Sequence, residues 1–166
     1  MENLIKIRDY NSNLLFSDLK KVIKKYNIIE HNIIGKSLLG KNIHCVKLGK
    51  GKKEVFYCAS FHANEWITSL ILMKFIEDYC YAINKKKTIK GVDISKIYKT
   101  TSIYIVPMVN PDGVDLVNGF IEKNSDVYRN VLKISRRYAK IPFTSGWKAN
   151  IRGVDLKNYQ PFCKVL

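Results

Sequence analysis

The chain has 166 residues, 46% of them hydrophobic and 11% aromatic, which suits one folded domain with its own core and excludes a disordered chain. Its net charge of +15 comes from 29 basic and 14 acidic residues, and only five of the basic ones are Arg. The lysines are spread from Lys6 to Lys164, so the excess reads as a solvated surface and no nucleic-acid partner is expected. Cys45, Cys58, Cys80 and Cys163 stand at neither metal nor redox spacing. Cys45 and Cys58 fall in apolar strand patterns and are expected to be buried. Residues 1–8 contain no apolar signal core, and the run from Trp66 to Ile76 is broken by Thr68, Ser69 and Lys74. No membrane partner is expected, and a cytoplasmic location is the default.

In chain order, Leu19, Val22, Ile23 and Tyr26 predict an amphipathic helix over 17–26 with Ser17 as its N-cap. The runs 31–38 and 42–48 flank Leu39-Gly40-Lys41 and predict a β-hairpin. Residues 54–60 read as a short buried strand, and 65–83 as a helix with a wide apolar face. Residues 84–90 are expected to form a basic loop and 93–98 a short helix. A second buried strand is expected over 101–106, ended by Pro107. Asn110-Pro111-Asp112-Gly113 has the composition of a turn. Residues 125–139 form a basic, polar segment of helical type. Strand, long helix, strand implies an α/β protein with a parallel strand pair, whose ligands gather at the carboxyl ends of the strands.

Three segments carry chemistry. Phe61-His62-Ala63-Asn64-Glu65-Trp66 follows the first buried strand. An imidazole and a carboxylate three residues apart fall on one side of a turn, and that donor pair suits a divalent metal, zinc above all. Asn110 follows the parallel strand, on the same rim. Residues 146–156 place Lys148, Arg152, Asn150 and Asp155 near two glycines. Taken singly, each segment is a weak signal.

Taken in order, these segments resemble the zinc carboxypeptidase family of carboxypeptidase A-like metallopeptidases. The likeness is strongest to the bacterial branch that cleaves γ-D-glutamyl-diaminopimelate bonds. The matching stretches are 61–66, 106–114 and 147–156, with 34–43 similar to the family's strand pair ahead of the metal segment. The resemblance implies a three-layer α/β/α sandwich with a mixed, partly parallel sheet, truncated. Residues 1–30 would be a helical lead-in and 31–166 the N-terminal part of the domain. It implies a zinc-dependent peptidase acting on peptide amide bonds of peptidoglycan fragments. His62 and Glu65 would be zinc ligands, and Glu65 would not serve as the base. Lys148 or Arg152 would stabilise the oxyanion and bind substrate. Asn110, Pro111, Asp112 and Gly113 would shape the cleft rim, and Asp155 would fix its loop.

The family's third ligand, a later His, and its general-base Glu have no counterpart here; the remaining His31 and His44 lie upstream. The family's substrate-contacting Asn falls one place late, at Asn158 behind Lys157, and Tyr159 stands where true carboxypeptidases carry an Arg. The zinc site is therefore expected to be incomplete and the chain inactive by itself. The alternative reading is a non-catalytic remnant, or a peptide-binding half that needs a separately encoded C-terminal half. In either case the sheet is expected to expose an apolar edge.

Overall fold

The computed structural model describes residues 4–138, 140 and 142–159. The first helix, α1, spans Ser12–Lys25, five residues earlier than the sequence pattern predicts. Its cap is Asn11, whose side-chain oxygen accepts from the Leu14 amide at 2.7 Å, not Ser17. Leu15 extends the buried stripe of Leu19 and Val22 by one turn, which is why the helix starts there.

Strands β1 (Ile29–Lys36) and β2 (Asn42–Leu48) form the expected antiparallel hairpin. Strand β3 is Lys53–Cys58, followed by α2 at Ile67–Lys85. A two-residue pair, β4 (Thr88–Ile89) and β5 (Val92–Asp93), forms a small hairpin where a basic loop was expected. Lys90 and Gly91 both have positive φ at its turn, the conformation a tight hairpin needs. Helix α3 (Ile94–Thr100) leads into β6 (Thr101–Val106). Helix α4 (Pro111–Val117) occupies the stretch that composition marks as a turn. Helix α5 (Asp126–Ser135) and two 3₁₀ turns, at Arg136–Tyr138 and Leu156–Tyr159, complete the described residues.

The main sheet runs β1-β2-β6-β3. Strand β6 pairs antiparallel with β2 and parallel with β3, from Lys53↔Thr101 to Cys58↔Val106. The fold is thus mixed α/β with a partly parallel sheet. Register places Val46 and Leu48 beside Ile105 and Ile103 on one face, and these four pack in one core with Leu19, Val22, Met73 and Ile76. Burying each such side chain contributes about 1.5–3 kcal/mol. On this face, Phe16 of α1 stacks on His44 of β2, and Phe75 of α2 meets Tyr57 of β3. The opposite face carries Glu30, Lys47, Tyr104 and Glu54 in a polar ladder.

Gly51 is required where the chain enters β3. A Cβ there would lie 1.7 Å from the Thr100 carbonyl carbon and 2.0 Å from the Thr101 nitrogen, backbone atoms that cannot yield. Among the described residues β3 is an edge strand, and Tyr57 on it is 45% exposed, as the apolar-edge expectation has it. Cys45 is buried as expected, but Cys58 is only partly so, because it lies on that same edge strand.

Candidate metal centre

Strands β3 and β6 are parallel, so their carboxyl ends leave the sheet at one rim. Beyond them the two chains stay zipped. The Ala59 amide donates to Val106 O and Val109 donates to Ala59 O, both at 3.0 Å, and Asn110 donates to Ser60 O at 3.1 Å. Ser60 sits at φ 51°, a left-handed conformation that costs a non-glycine residue about 1–3 kcal/mol unless its surroundings hold it there. They do: its amide donates to Thr68 Oγ1 at 3.0 Å, its hydroxyl donates to Glu65 O at 3.1 Å, and it meets Ser69 Oγ at 2.7 Å. The sharp bend at Ser60 throws residues 61–65 across the rim.

Residues 62–65 form a tight turn ahead of α2, closed by the Glu65 amide donating to His62 O at 3.1 Å. It brings His62 Nδ1 to 2.8 Å from Glu65 Oε1. The other ring nitrogen, Nε2, faces Asp155 Oδ1 at 3.5 Å. Only 11% of the His62 side chain is exposed, against 47% for Glu65. Two donors bound tetrahedrally to one zinc ion at about 2.0–2.2 Å stand roughly 3.3–3.6 Å apart. The Nδ1–Oε1 pair, hydrogen-bonded at 2.8 Å, would open by about half an ångström to take an ion between the two atoms, and the donor types suit zinc. A carboxylate thus lies behind Nε2 as well, at a distance longer than a hydrogen bond. Among the described residues, no group of three or more His, Cys, Asp or Glu side chains is arranged to hold a metal ion.

The pair opens on a cleft of about 210 Å³ lined by Cys58, Ser60, Thr68 and Lys157. Lys157, which the sequence pattern treats as an interruption, lines this cleft, and Asn158 does not. Asn158 is exposed on the closing 3₁₀ turn, its amide donating to Asp155 O at 3.2 Å. Neither Lys148 nor Arg152 lines the cleft; both are exposed. Lys148 borders a neighbouring cavity of about 260 Å³ with Phe143 and Trp147, and Asp155 lines that cavity too. Asp155 does hold its loop, accepting from the Lys157 amide at 3.0 Å. Its approach to His62, across 93 positions of chain, is not readable from sequence.

Asn110 to Gly113 are the N-cap and first turn of α4, with Pro111 in its first turn and Asn110 Oδ1 accepting from the Gly113 amide at 3.1 Å. Asp112 turns away from the cleft. It accepts from Ser37 Oγ at 2.9 Å and the Leu39 amide at 3.0 Å, tying the β1–β2 turn to α4. Asp115, which no sequence signal marked, accepts from Ser12 and from Lys41 Nζ. The 146–156 loop is held from below. Ala63 donates to Lys148 O at 2.9 Å, and Asn150 Oδ1 accepts from the Arg152 and Val154 amides.

The family model described as zinc carboxypeptidase matches residues 17–162. The chain is 38% identical over 154 residues to gamma-D-glutamyl-L-diamino acid endopeptidase 1 of Lysinibacillus sphaericus, covering 93% of this chain and 38% of that protein. It is 37% identical over 155 residues to the uncharacterized protein YqgT of Bacillus subtilis, covering 92% and 40%. The chain thus spans about two fifths of the length of these curated relatives. In fold it is similar to thrombin-activatable fibrinolysis inhibitor. The bovine structure, solved with a tick carboxypeptidase inhibitor, matches with a TM-score of 0.57 at 21% identity, over 86% of this chain and 37% of the other.

Proposed function

Because the chain belongs to the zinc carboxypeptidase family, we propose that its 61–65 turn is half of a peptidase metal site, with His62 and Glu65 as ligands. The observation that carries this reading is the 2.8 Å approach of His62 Nδ1 to Glu65 Oε1, with Asp155 behind the ring. With an ion on Nδ1 the ring proton would sit on Nε2, where it would face Asp155, 3.5 Å away. When bound, zinc supplies Lewis acidity and a water of lowered pKa. Lys148 or Arg152, with Asn158, would serve substrate only by reaching in from outside the cleft wall, since none of the three lines it. Lys157 adds a positive charge at the cleft wall.

The substrate class is a peptide amide bond of the γ-D-glutamyl-diamino acid type, supported by the name of the Lysinibacillus relative. The third ligand and the general base would come from polypeptide outside these 166 residues, a complementing C-terminal half. Without the base, hydrolysis by this chain alone would be slower by about 10²–10⁴-fold. Calorimetric titration with zinc tests the site: the chain binds and His62→Ala does not, and equal binding by both overturns the assignment. Cleavage of a γ-D-glutamyl-diaminopimelate peptide, with and without chelator, tests the chemistry.

A further inference from the structure

We infer that Asn110 is a positioning residue that fixes the His62–Glu65 pair relative to the Lys148–Arg152 loop, an inference that rests on reading the pair as metal ligands. Its side chain is buried, with 2% of the residue exposed, and it touches three segments at once. Oδ1 accepts from the Gly113 amide at 3.1 Å, Nδ2 donates to Phe61 O at 3.2 Å, and Nδ2 donates to Ala149 O at 3.3 Å.

The last two acceptors matter by their place in the chain. Phe61 O belongs to the peptide unit whose nitrogen is that of His62. Ala149 immediately follows Lys148. One carboxamide therefore grips the backbone one step from the proposed ligand and one step from a proposed cation. A helix cap needs only the oxygen; the two Nδ2 donations add nothing to α4. They are donations that an Asp cannot make and that a Ser hydroxyl is too short to make together.

The grip has one geometry. A Cβ on Gly113 would lie 2.5 Å from Asn110 Nδ2 and 2.8 Å from the Ala63 Cβ, so glycine is what lets the carboxamide lie flat against α4. The Ala63 amide, donating to Lys148 O at 2.9 Å, is a parallel strut between the same two loops. The β3 and β6 ends, zipped through Asn110 N and Ser60 O, give the carboxamide a rigid base.

The test compares four proteins: the parent chain, Asn110→Ser, Asn118→Ala and His62→Ala. Asn110→Ser retains a good cap and loses the Nδ2 bridge. Asn118→Ala removes a different, half-buried bond, Asn118 Nδ2 to Tyr10 O at 2.7 Å, remote from the turn. Each is titrated with zinc by calorimetry and with cobalt(II) by visible absorption. The expected result is loss of binding in His62→Ala. Asn110→Ser should weaken affinity on the order of tenfold, at the low end for outer-shell changes, with an altered cobalt spectrum. Asn118→Ala should match the parent. Parent-like affinity and spectrum in Asn110→Ser, or an equal loss in Asn118→Ala, overturns the inference. Equal binding by the parent and His62→Ala overturns the metal reading itself. Should Asn110→Ser not fold, Asn110→Asp keeps the shape and the cap while removing both donors, and must weaken binding at least as much.

Discussion

Replacing Gly113 by Ala sets two effects of opposite sign against each other. Gly113 lies in the first turn of α4, and alanine in a helix is favoured over glycine by up to about 1 kcal/mol. Propensity alone therefore predicts a stabilised protein. The added methyl, however, would stand 2.5 and 2.7 Å from the two polar atoms of Asn110 and 2.8 Å from the Ala63 Cβ. Asn110 is buried and bonded on three sides, and Ala63 is wholly buried, so neither is a flexible end that swings aside. If Asn110 let go, the protein would lose a cap of about 1 kcal/mol and two further bonds of about 1 kcal/mol each. Shifting the backbone instead costs about 1–3 kcal/mol, and the cheaper route sets the outcome. Net of propensity, Gly113→Ala should destabilise by about 1 kcal/mol, and by no more than about 2 kcal/mol. With an m-value near 2 kcal/mol/M, the urea midpoint followed by circular dichroism should fall by roughly 0.5 M, and by up to about 1 M, at unchanged slope. A midpoint that stays put or rises would refute the steric argument, and with it the claim that the carboxamide has one place to lie.

Asp115→Ala should cost about 2–4 kcal/mol in the same urea assay, since it removes charge-assisted bonds to Ser12 and Lys41 from a group only 4% exposed; a loss below about 0.5 kcal/mol would mean solvent replaces them. Burial lowers the pKa of both His31 and His44, and the His31 charge lowers that of His44 further. Their rings meet nitrogen to nitrogen at 2.9 Å. For bases with depressed folded values, the stabilisation is complete above the unfolded value near 6.5 and is lost as pH falls through that value towards the folded ones. Stability should therefore decline from pH 7 to pH 5, and His44→Phe should flatten the decline; an equally steep profile in the variant counts against the pair. Burial pushes the Cys80 thiol up to about 12, so Cys80 should remain unmodified when the native chain is treated with iodoacetamide at pH 8 and mapped by mass spectrometry. Rapid labelling there would show that α2 opens readily.

The strands were the most legible part of the chain. Residues 101–106 and 42–48 carry local apolar patterns, and the structure returns those two ranges as β6 and β2. Elements that depend on distant partners were not legible. Asn110-Pro111 serves equally as the start of a turn or of a helix; burial of Val114 and Leu116 decides for the helix, and that burial comes from elsewhere in the fold. A proline at the first helical position ahead of Val114 and Leu116 was the available signal. The α1 start was missed because Asn11 caps it and Asp115 holds Ser12 across 103 positions. At the rim, the convergence of His62 with Glu65 follows from a spacing of three, so sequence reaches it. The partner behind the ring, the lysine in the cleft and the grip of Asn110 follow from loop crossings that no short-range pattern encodes.

The strand that delivers His62 is also the outermost one. On its far side β3 shows backbone donors and acceptors with no ladder partner among the described residues. An extended segment laid alongside it in the same direction would advance about 3.3 Å per residue and run out beside the imidazole, as β6 does towards Asn110. The lateral margin of the sheet and the mouth of the cleft are thus one locus. A polypeptide that closed the margin in register would bring its own side chains to the proposed metal site, whereas one that adhered out of register would seal the mouth.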